Sequence, residues 1–291
     1  MKYPVDDFIR EKLNSLLTKM ENHTESDFIF INTDIGFGLA GFINQLILDI
    51  QDSPNEHRDG RLVFMLTTPG GSAEEVARIV SVIRNFYKEV IFIVPDYAYS
   101  AGTILCMSGD EIFMDYFSVL GPIDPQIQNK EHSNLIPAQG YLDKVAEFVE
   151  KSKAGTLSEV EYMMLKEIDL ADLRSYEQAR ELSIDLLKKW LVQYKFKNWD
   201  KHTSTGKPVT EDDKICRAEK IASVLSDNNI WKTHGRGIDI HNLRGDGLKL
   251  KITDYSKDTV LCSLVREYYD LVTDFMAKNK NLRFFHTRRF I

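Results

Sequence analysis

The chain is 291 residues long, with 43% hydrophobic and 28% charged residues, the proportions of an ordinary globular protein. Its net charge of -7 argues against a general nucleic-acid-binding surface; only the basic stretch from Arg283 to Arg289 departs from that balance. No stretch approaches the roughly 18 apolar residues needed to span a bilayer, and Cys106, Cys216 and Cys262 lie too far apart for a metal-binding spacing.

The first residues, Met-Lys-Tyr-Pro-Val-Asp-Asp, lack the apolar run of a signal peptide, and no disulfide framework is expected. These features predict a soluble, cytoplasmic protein with no cofactor and no metal. Residues 4–22 carry Phe8, Leu13, Leu16, Leu17 and Met20 at helical spacing among charges, an amphipathic helix suited to packing on a partner subunit. Asp27 to Asn32 reads as a strand. Gly36, Gly38 and Gly41 follow, in a spacing that fits neither the dinucleotide nor the P-loop pattern. Phe42 to Ile50 reads as a helix and Arg61 to Leu66 as the second core strand. That strand runs into Thr67-Thr68-Pro69-Gly70-Gly71-Ser72, and a helix over 73–87 follows.

A third strand, 90–94, leads to Asp96-Tyr97-Ala98-Tyr99-Ser100-Ala101-Gly102-Thr103, and Ile104 to Met107 continues as a buried helix. Glu111 to Asp115 is a further strand. Ser118 to Ile127 is extended and stiffened by proline. Residues 138–152 are helical and include Lys144. The pattern over 156–200 is helical and amphipathic, 201–213 is a polar linker, and helices are expected at 214–226 and 258–278. Between these last two lies Trp231 to Asp239, a compact loop with two glycines. Strands alternating with amphipathic helices predict an α/β fold with a mainly parallel sheet and right-handed crossovers. The organisation expected is an N-terminal helix over 1–26, an α/β domain over 27–155 and a mainly helical region over 156–291.

Sites in such sheets form at the carboxyl ends of the strands. Gly70-Gly71 and Ser100 both lie there, on consecutive strands, and are expected to be close together. Acyl transfer needs a nucleophile, a base, and N–H donors where the carbonyl oxygen becomes negative. Ser100 offers a hydroxyl at a helix N-terminus, where free N–H groups and the helix dipole favour an alkoxide. Gly70, Gly71 and Ala101 offer backbone N–H groups. The plain alternatives are that Ser100 caps its helix and that the glycines form an ordinary turn.

Thr68-Pro69-Gly70-Gly71-Ser72, then Tyr99-Ser100-Ala101-Gly102-Thr103, then Leu120-Gly121-Pro122-Ile123-Asp124-Pro125-Gln126 resemble, in that order, the Clp/crotonase-fold serine peptidases. Within them the match is to the serine dehydrogenase proteinase family. Signal peptide peptidases, NfeD-type membrane proteases and ClpP are more distant. The resemblance covers residues 27–150, and Thr233 to Asp239 resembles the same family. It implies a Clp/crotonase-like fold, Ser100 as nucleophile, and an oxyanion hole from Gly71 and Ala101 with Gly70 as neighbour.

ClpP carries a histidine where this chain reads Gly-Pro-Ile-Asp-Pro-Gln, so a ClpP-like triad is not matched. The signal peptide peptidases and NfeD-type proteases use a Ser–Lys dyad, and Lys144 lies at a similar distance from the serine here. A lysine acts as base only when neutral, which burial and nearby cations favour; otherwise Lys144 is a solvated lysine between Asp143 and Glu147. Lys130, His132 and His234 are the other candidate bases, and Asp124 is expected to fix the segment beneath the site. Tyr97 and Tyr99 face one side and are candidates for lining a substrate pocket.

The reading is an ATP-independent serine peptidase acting on peptides or unfolded segments through an acyl-enzyme on Ser100, with Lys144 as base. Its rivals are a catalytically impaired peptide-binding member and a crotonase-like acyl-CoA enzyme. The resemblance also implies a homo-oligomer, with residues 4–22 and 258–278 as contacts. No nucleic-acid partner is expected.

Overall fold

The structure is a computed structural model, and it describes residues 4–52, 60–128, 135–202, 205–245 and 247–291. The chain runs through α1 (Pro4–Thr24), β1 (Asp27–Asn32), α2 (Leu39–Gln51), β2 (Arg61–Thr67), α3 (Ala73–Phe86), β3 (Glu89–Ile93), β4 (Tyr97–Ala98), α4 (Ala101–Met107) and β5 (Glu111–Met114). Then come β6 (Val119–Leu120), β7 (Gln126–Gln128), β8 (Leu135–Pro137), α5 (Ala138–Lys153), α6 (Glu159–Lys166), α7 (Leu170–Trp190), a π-helical turn (Leu191–Lys195) and α8 (Glu211–Ser226). The last elements are α9 (Asn228–Trp231), β9 (Ile238–Asp239), α10 (Ile240–Arg244), β10 (Thr253–Asp254), α11 (Thr259–Asn279) and β11 (Phe284–His286).

A six-stranded sheet in the order β10-β5-β3-β2-β1-β11 forms the middle layer. Its pairs are parallel except for β1 with β11. β1 and β2 are near-continuous apolar runs because both faces of the sheet are covered. The two-residue side-chain period divides them cleanly. Ile29, Ile31, Leu62 and Phe64 pack into the layer containing α2, α3, α4, α7 and α8. Phe28, Phe30, Val63 and Met65 face α1 and α11.

That second layer corrects one expectation. Leu13, Leu16, Leu17 and Met20 of α1 are fully buried within the protomer, against Val265, Tyr268 and Val272 of α11. Most of the stripe read as a subunit contact is thus covered from inside, while Phe8 stays 69% exposed. The basic C-terminal stretch is anchored through its middle, while Arg283 and Arg289 stay exposed. β11 closes the open edge of β1, His286 is fully buried, and Arg288 pairs with Glu21 at 2.8 Å and Asp27 at 2.6 Å.

Beside the main sheet stands a three-stranded one in the order β4-β6-β9. β3 ends at Ile93, and the chain crosses through Val94-Pro95-Asp96 into β4. The serine turn therefore leaves this small sheet and not the third core strand, as the sequence had suggested. The helical stretch read over 156–200 is two helices and a π-turn. Among the described residues no helix is long and apolar enough to cross a membrane.

Candidate active site

The two turns singled out in the sequence are stitched together by backbone hydrogen bonds. Thr68 N–H donates to Tyr97 O and Tyr99 N–H donates to Thr68 O, each at 3.0 Å. Gly70 then lies against Ser100: a Cβ on Gly70 would stand 2.8 Å from Ser100 Cβ and 2.9 Å from Tyr99 O. With φ at +107°, only glycine meets both demands at this position.

On its other side the glycine turn is held by Ile35. Ile35 N–H donates to Gly70 O at 2.8 Å, and Ser72 N–H donates to Ile35 O at 2.9 Å. Polar groups of successive residues in extended chain alternate between its edges. Gly71 is the bridge partner of Ile35, and its own N–H and C=O are not the groups bonded to that residue. Gly71 N–H has no acceptor among the described residues. A Cβ on Gly71 would stand 2.2 Å from Ile35 O, so this packing admits no side chain. Gly70, grouped with the donors in the sequence, spends its N–H on Thr68 Oγ1 at 3.1 Å. Its part in the geometry is close approach.

Ser100 sits at φ 52°, ψ -116°, outside the regions open to a residue with a side chain. Its side chain makes no capping bond to α4, so the plain capping role is not the one seen. The hydroxyl is half-buried, and the N–H of Ala101 that follows has no acceptor among the described residues. Thr103, in the same motif but assigned no part, ties the turn to the next segment. Its Oγ1 lies 2.9 Å from the carbonyl oxygens of Ala98 and Gly121 and accepts from Gly121 N–H at 2.9 Å. Gly121 is pressed on this turn, since a Cβ there would meet Tyr99 Cδ1 at 2.5 Å and Ser100 N at 3.3 Å.

β6 pairs parallel with β4 and antiparallel with β9, placing Leu120 beside both Ala98 and Ile238. The register carries residues 121–124 and 237–234 past each other at the end of the sheet where Ser100 turns. There His234 Nδ1 lies 2.9 Å from Asp124 Oδ1. Asp124 is wholly buried and the His234 side chain is 21% exposed. A carboxylate accepts, so the contact suits Nδ1–H donating to Asp124, the arrangement that in a neutral imidazole makes Nε2 the acceptor. Gln126 Nε2 donates to the other Asp124 oxygen at 3.4 Å. This pairing was not legible in the sequence, where Asp124 was read as fixing its own segment. The signals present were an aspartate between prolines and a histidine next to glycine.

Lys144 has an ion-pair partner on its own helix. It lies on α5, 64% exposed, with its Nζ 2.7 Å from Glu147 Oε2. That contact holds the Glu147 carboxyl below the usual carboxylate range. The Lys144 side chain is solvated, whereas a lysine base is favoured by burial. Lys130 and His132 lie outside the described residues. Tyr97 and Tyr99 are half-buried and stacked, ring centres 5.4 Å apart and planes at 24°. Burial, and then the negative charge of Asp96, push the Tyr97 hydroxyl above its ordinary range.

A parallel sheet with a serine turn locked beside a Pro-Gly-Gly turn defines a ClpP-like α/β fold. The chain belongs to the family of ClpP-like SDH-type serine proteinases, whose family model matches residues 44–230. Among curated proteins it is similar to the uncharacterized protein MJ0137 of Methanocaldococcus jannaschii, 28% identical over 196 residues, covering 62% of this chain and 67% of that one. The uncharacterized protein MJ1495 of the same organism is 29% identical over 127 residues, 41% of this chain and 43% of the relative. A solved 1510-N membrane-bound stomatin-specific protease mutant shares 13% identity across 79% of this chain and 80% of its own, with a TM-score of 0.44.

Proposed function

We propose that the protein is a serine peptidase in which Ser100 is the nucleophile, His234 the base and Asp124 the group that orients it. The observation carrying this reading is the 2.9 Å contact between His234 and buried Asp124 at the end of the small sheet where Ser100 turns. Ser100 Oγ attacks the peptide carbonyl while His234 Nε2 takes its proton. The carbonyl oxygen, now negative, accepts from the N–H groups of Gly71 and Ala101. Collapse releases the amine, which receives the proton from Nε2. Water then repeats the sequence on the acyl-enzyme.

The substrate class is peptides or unfolded segments, because the Gly71 C=O beside its N–H offers an extended chain a backbone acceptor. Amide hydrolysis is downhill without coupled phosphoryl transfer, so the proposal is of ATP-independent turnover by a homo-oligomeric protein. Three variants test the assignment with a fluorescent unfolded protein as substrate and no nucleotide present. Ser100→Ala and His234→Ala are expected to lose nearly all activity, each about as completely as the pair together, because nucleophile and base act as a unit. Lys144→Ala is expected to remain active. An inactive Lys144→Ala beside an active His234→Ala would return the base to the Ser–Lys dyad.

A further inference from the structure

The residues on either side of Ile35 in the chain line a cleft of about 540 Å³, within the range of specific ligand pockets. Leu39, Phe42 and Phe285 supply its apolar wall, the two phenylalanine rings 4.7 Å apart. At its mouth stands Phe37, 97% exposed and flanked by Gly36 and Gly38. An aromatic ring left wholly in water on a glycine-jointed loop has contact area to give and nothing yet to give it to.

The cleft offers no charge to an ionic ligand. Asp34 and Arg283, both on its rim, neutralise one another at 3.0 Å. The N–H groups at the start of α2 are already taken: Glu75 Oε1 accepts from Gly38 N–H at 3.1 Å and Ala40 N–H at 2.8 Å. What remains for a ligand is the apolar wall of Leu39, Phe42 and Phe285 inside a polar rim. The lining residues Asp34 and Gly36 flank Ile35, which is hydrogen-bonded to Gly70 and Ser72 on the turn that carries the candidate oxyanion donor. Neighbouring strands lie about 4.8 Å apart and an extended chain rises about 3.3 Å per residue. Two such strand spacings separate the Ser100 turn from Ile35, so an extended substrate chain bound at Ser100 spans that step in about three residues.

We infer that this cleft is a specificity subsite that takes an apolar side chain of the polypeptide substrate, with Phe37 closing over it. The inference rests on the peptidase reading of Ser100 and adds to it the chemistry of a preferred residue away from the cleaved bond.

The test is a set of unstructured Gly/Ser peptides in which one phenylalanine is moved through successive positions on both sides of the cleaved bond. Wild type is expected to favour phenylalanine over serine at one such position by about tenfold in kcat/KM, the scale for one apolar group in a pocket. Phe37→Ser, which leaves the wall of Leu39, Phe42 and Phe285 in place, is expected to lower that ratio about threefold, with turnover of the all-Gly/Ser peptide unchanged and the preference restored in Phe37→Leu. Because Phe37 is solvent-exposed, the substitution removes no core contact. A parallel arm uses fluorescence anisotropy of the fluorescein-labelled phenylalanine peptide on Ser100→Ala, expecting weaker binding by a similar factor when Phe37→Ser is added. That arm decides the subsite even if the wild type cleaves nothing, an outcome that counts against the peptidase reading alone. An undiminished phenylalanine preference or affinity in Phe37→Ser overturns the inference. So does a fall in molecular mass by light scattering with the preference intact, which would assign the cleft to a second copy of the chain.

Discussion

Replacing Ser100 by glycine is expected to make the protein more stable while abolishing its activity. Ser100 is held at φ 52°, ψ -116°, where a side chain meets its own backbone. Residues in such conformations store of the order of 1–3 kcal/mol. Glycine removes that strain, less about 0.5–1 kcal/mol for the wider freedom it gives the unfolded chain. Alanine keeps the Cβ and therefore the strain, and because the Ser100 side chain makes no capping bond its loss costs α4 little. The net expectation is that Ser100→Gly exceeds Ser100→Ala by about 1 kcal/mol, or roughly 2–4 °C in Tm for a domain of this size. Calorimetry of the two inactive variants side by side reads the difference. A glycine variant no more stable than the alanine one would show that the turn is relaxed, and the argument that the fold holds Ser100 poised against its own backbone preference would fail.

Gly71→Ala should depress kcat by about 10²–10³, the loss of one oxyanion donor, with little change in KM. Its Cβ would stand 2.2 Å from Ile35 O and must push the N–H away from Ser100; a kcat near wild type in steady-state peptide cleavage would remove Gly71 from the site. Stability should fall with acid through His286, whose ring burial holds down to about 3. Asn14 Oδ1 only accepts, at 2.8 Å, so Nε2 carries the proton and Nδ1 accepts from Tyr268 O–H at 2.7 Å. The unfolded chain binds a proton on this ring from about pH 6.5 downward, whereas the folded one resists until about pH 3. The contribution is thus full above the upper value and is lost as pH falls through the window, by roughly 2–3 kcal/mol at about pH 4.5. Urea unfolding at neutral pH and in that window should show a smaller pH dependence in His286→Gln; an equal dependence would locate the acid sensitivity elsewhere.

The parts of this molecule that were legible in its sequence are those set by local pattern. β1, β2 and β3 are apolar runs bounded by turns. Ser72 caps α3 by accepting from Glu75 N–H at 3.0 Å, a signature confined to a few neighbouring residues. The glycine and serine turns were legible as neighbours because consecutive parallel strands end on one edge. What was not legible depends on distant pairing. β4, β6, β9 and β10 are two residues each, too short for any periodicity, and β9 reaches β6 from across more than a third of the chain. Asp124 and His234, separated by 110 residues, meet only because of that pairing. The stripe on α1 announced burial but not against what; its cover is α11, at the other end of the chain.

The central claim is that Ser100 is an activated nucleophile. Reaction of the native protein with a fluorophosphonate, followed by proteolytic digestion and mass spectrometric mapping, tests it without knowledge of the substrate. Phosphonylation makes the same demand as acylation, a serine oxygen freed of its proton beside donors for a developing oxyanion. The account predicts a single adduct on the Ser100 Oγ, absent from denatured protein and from Ser100→Ala. An adduct on another residue, or native protein that stays unmodified, would contradict it.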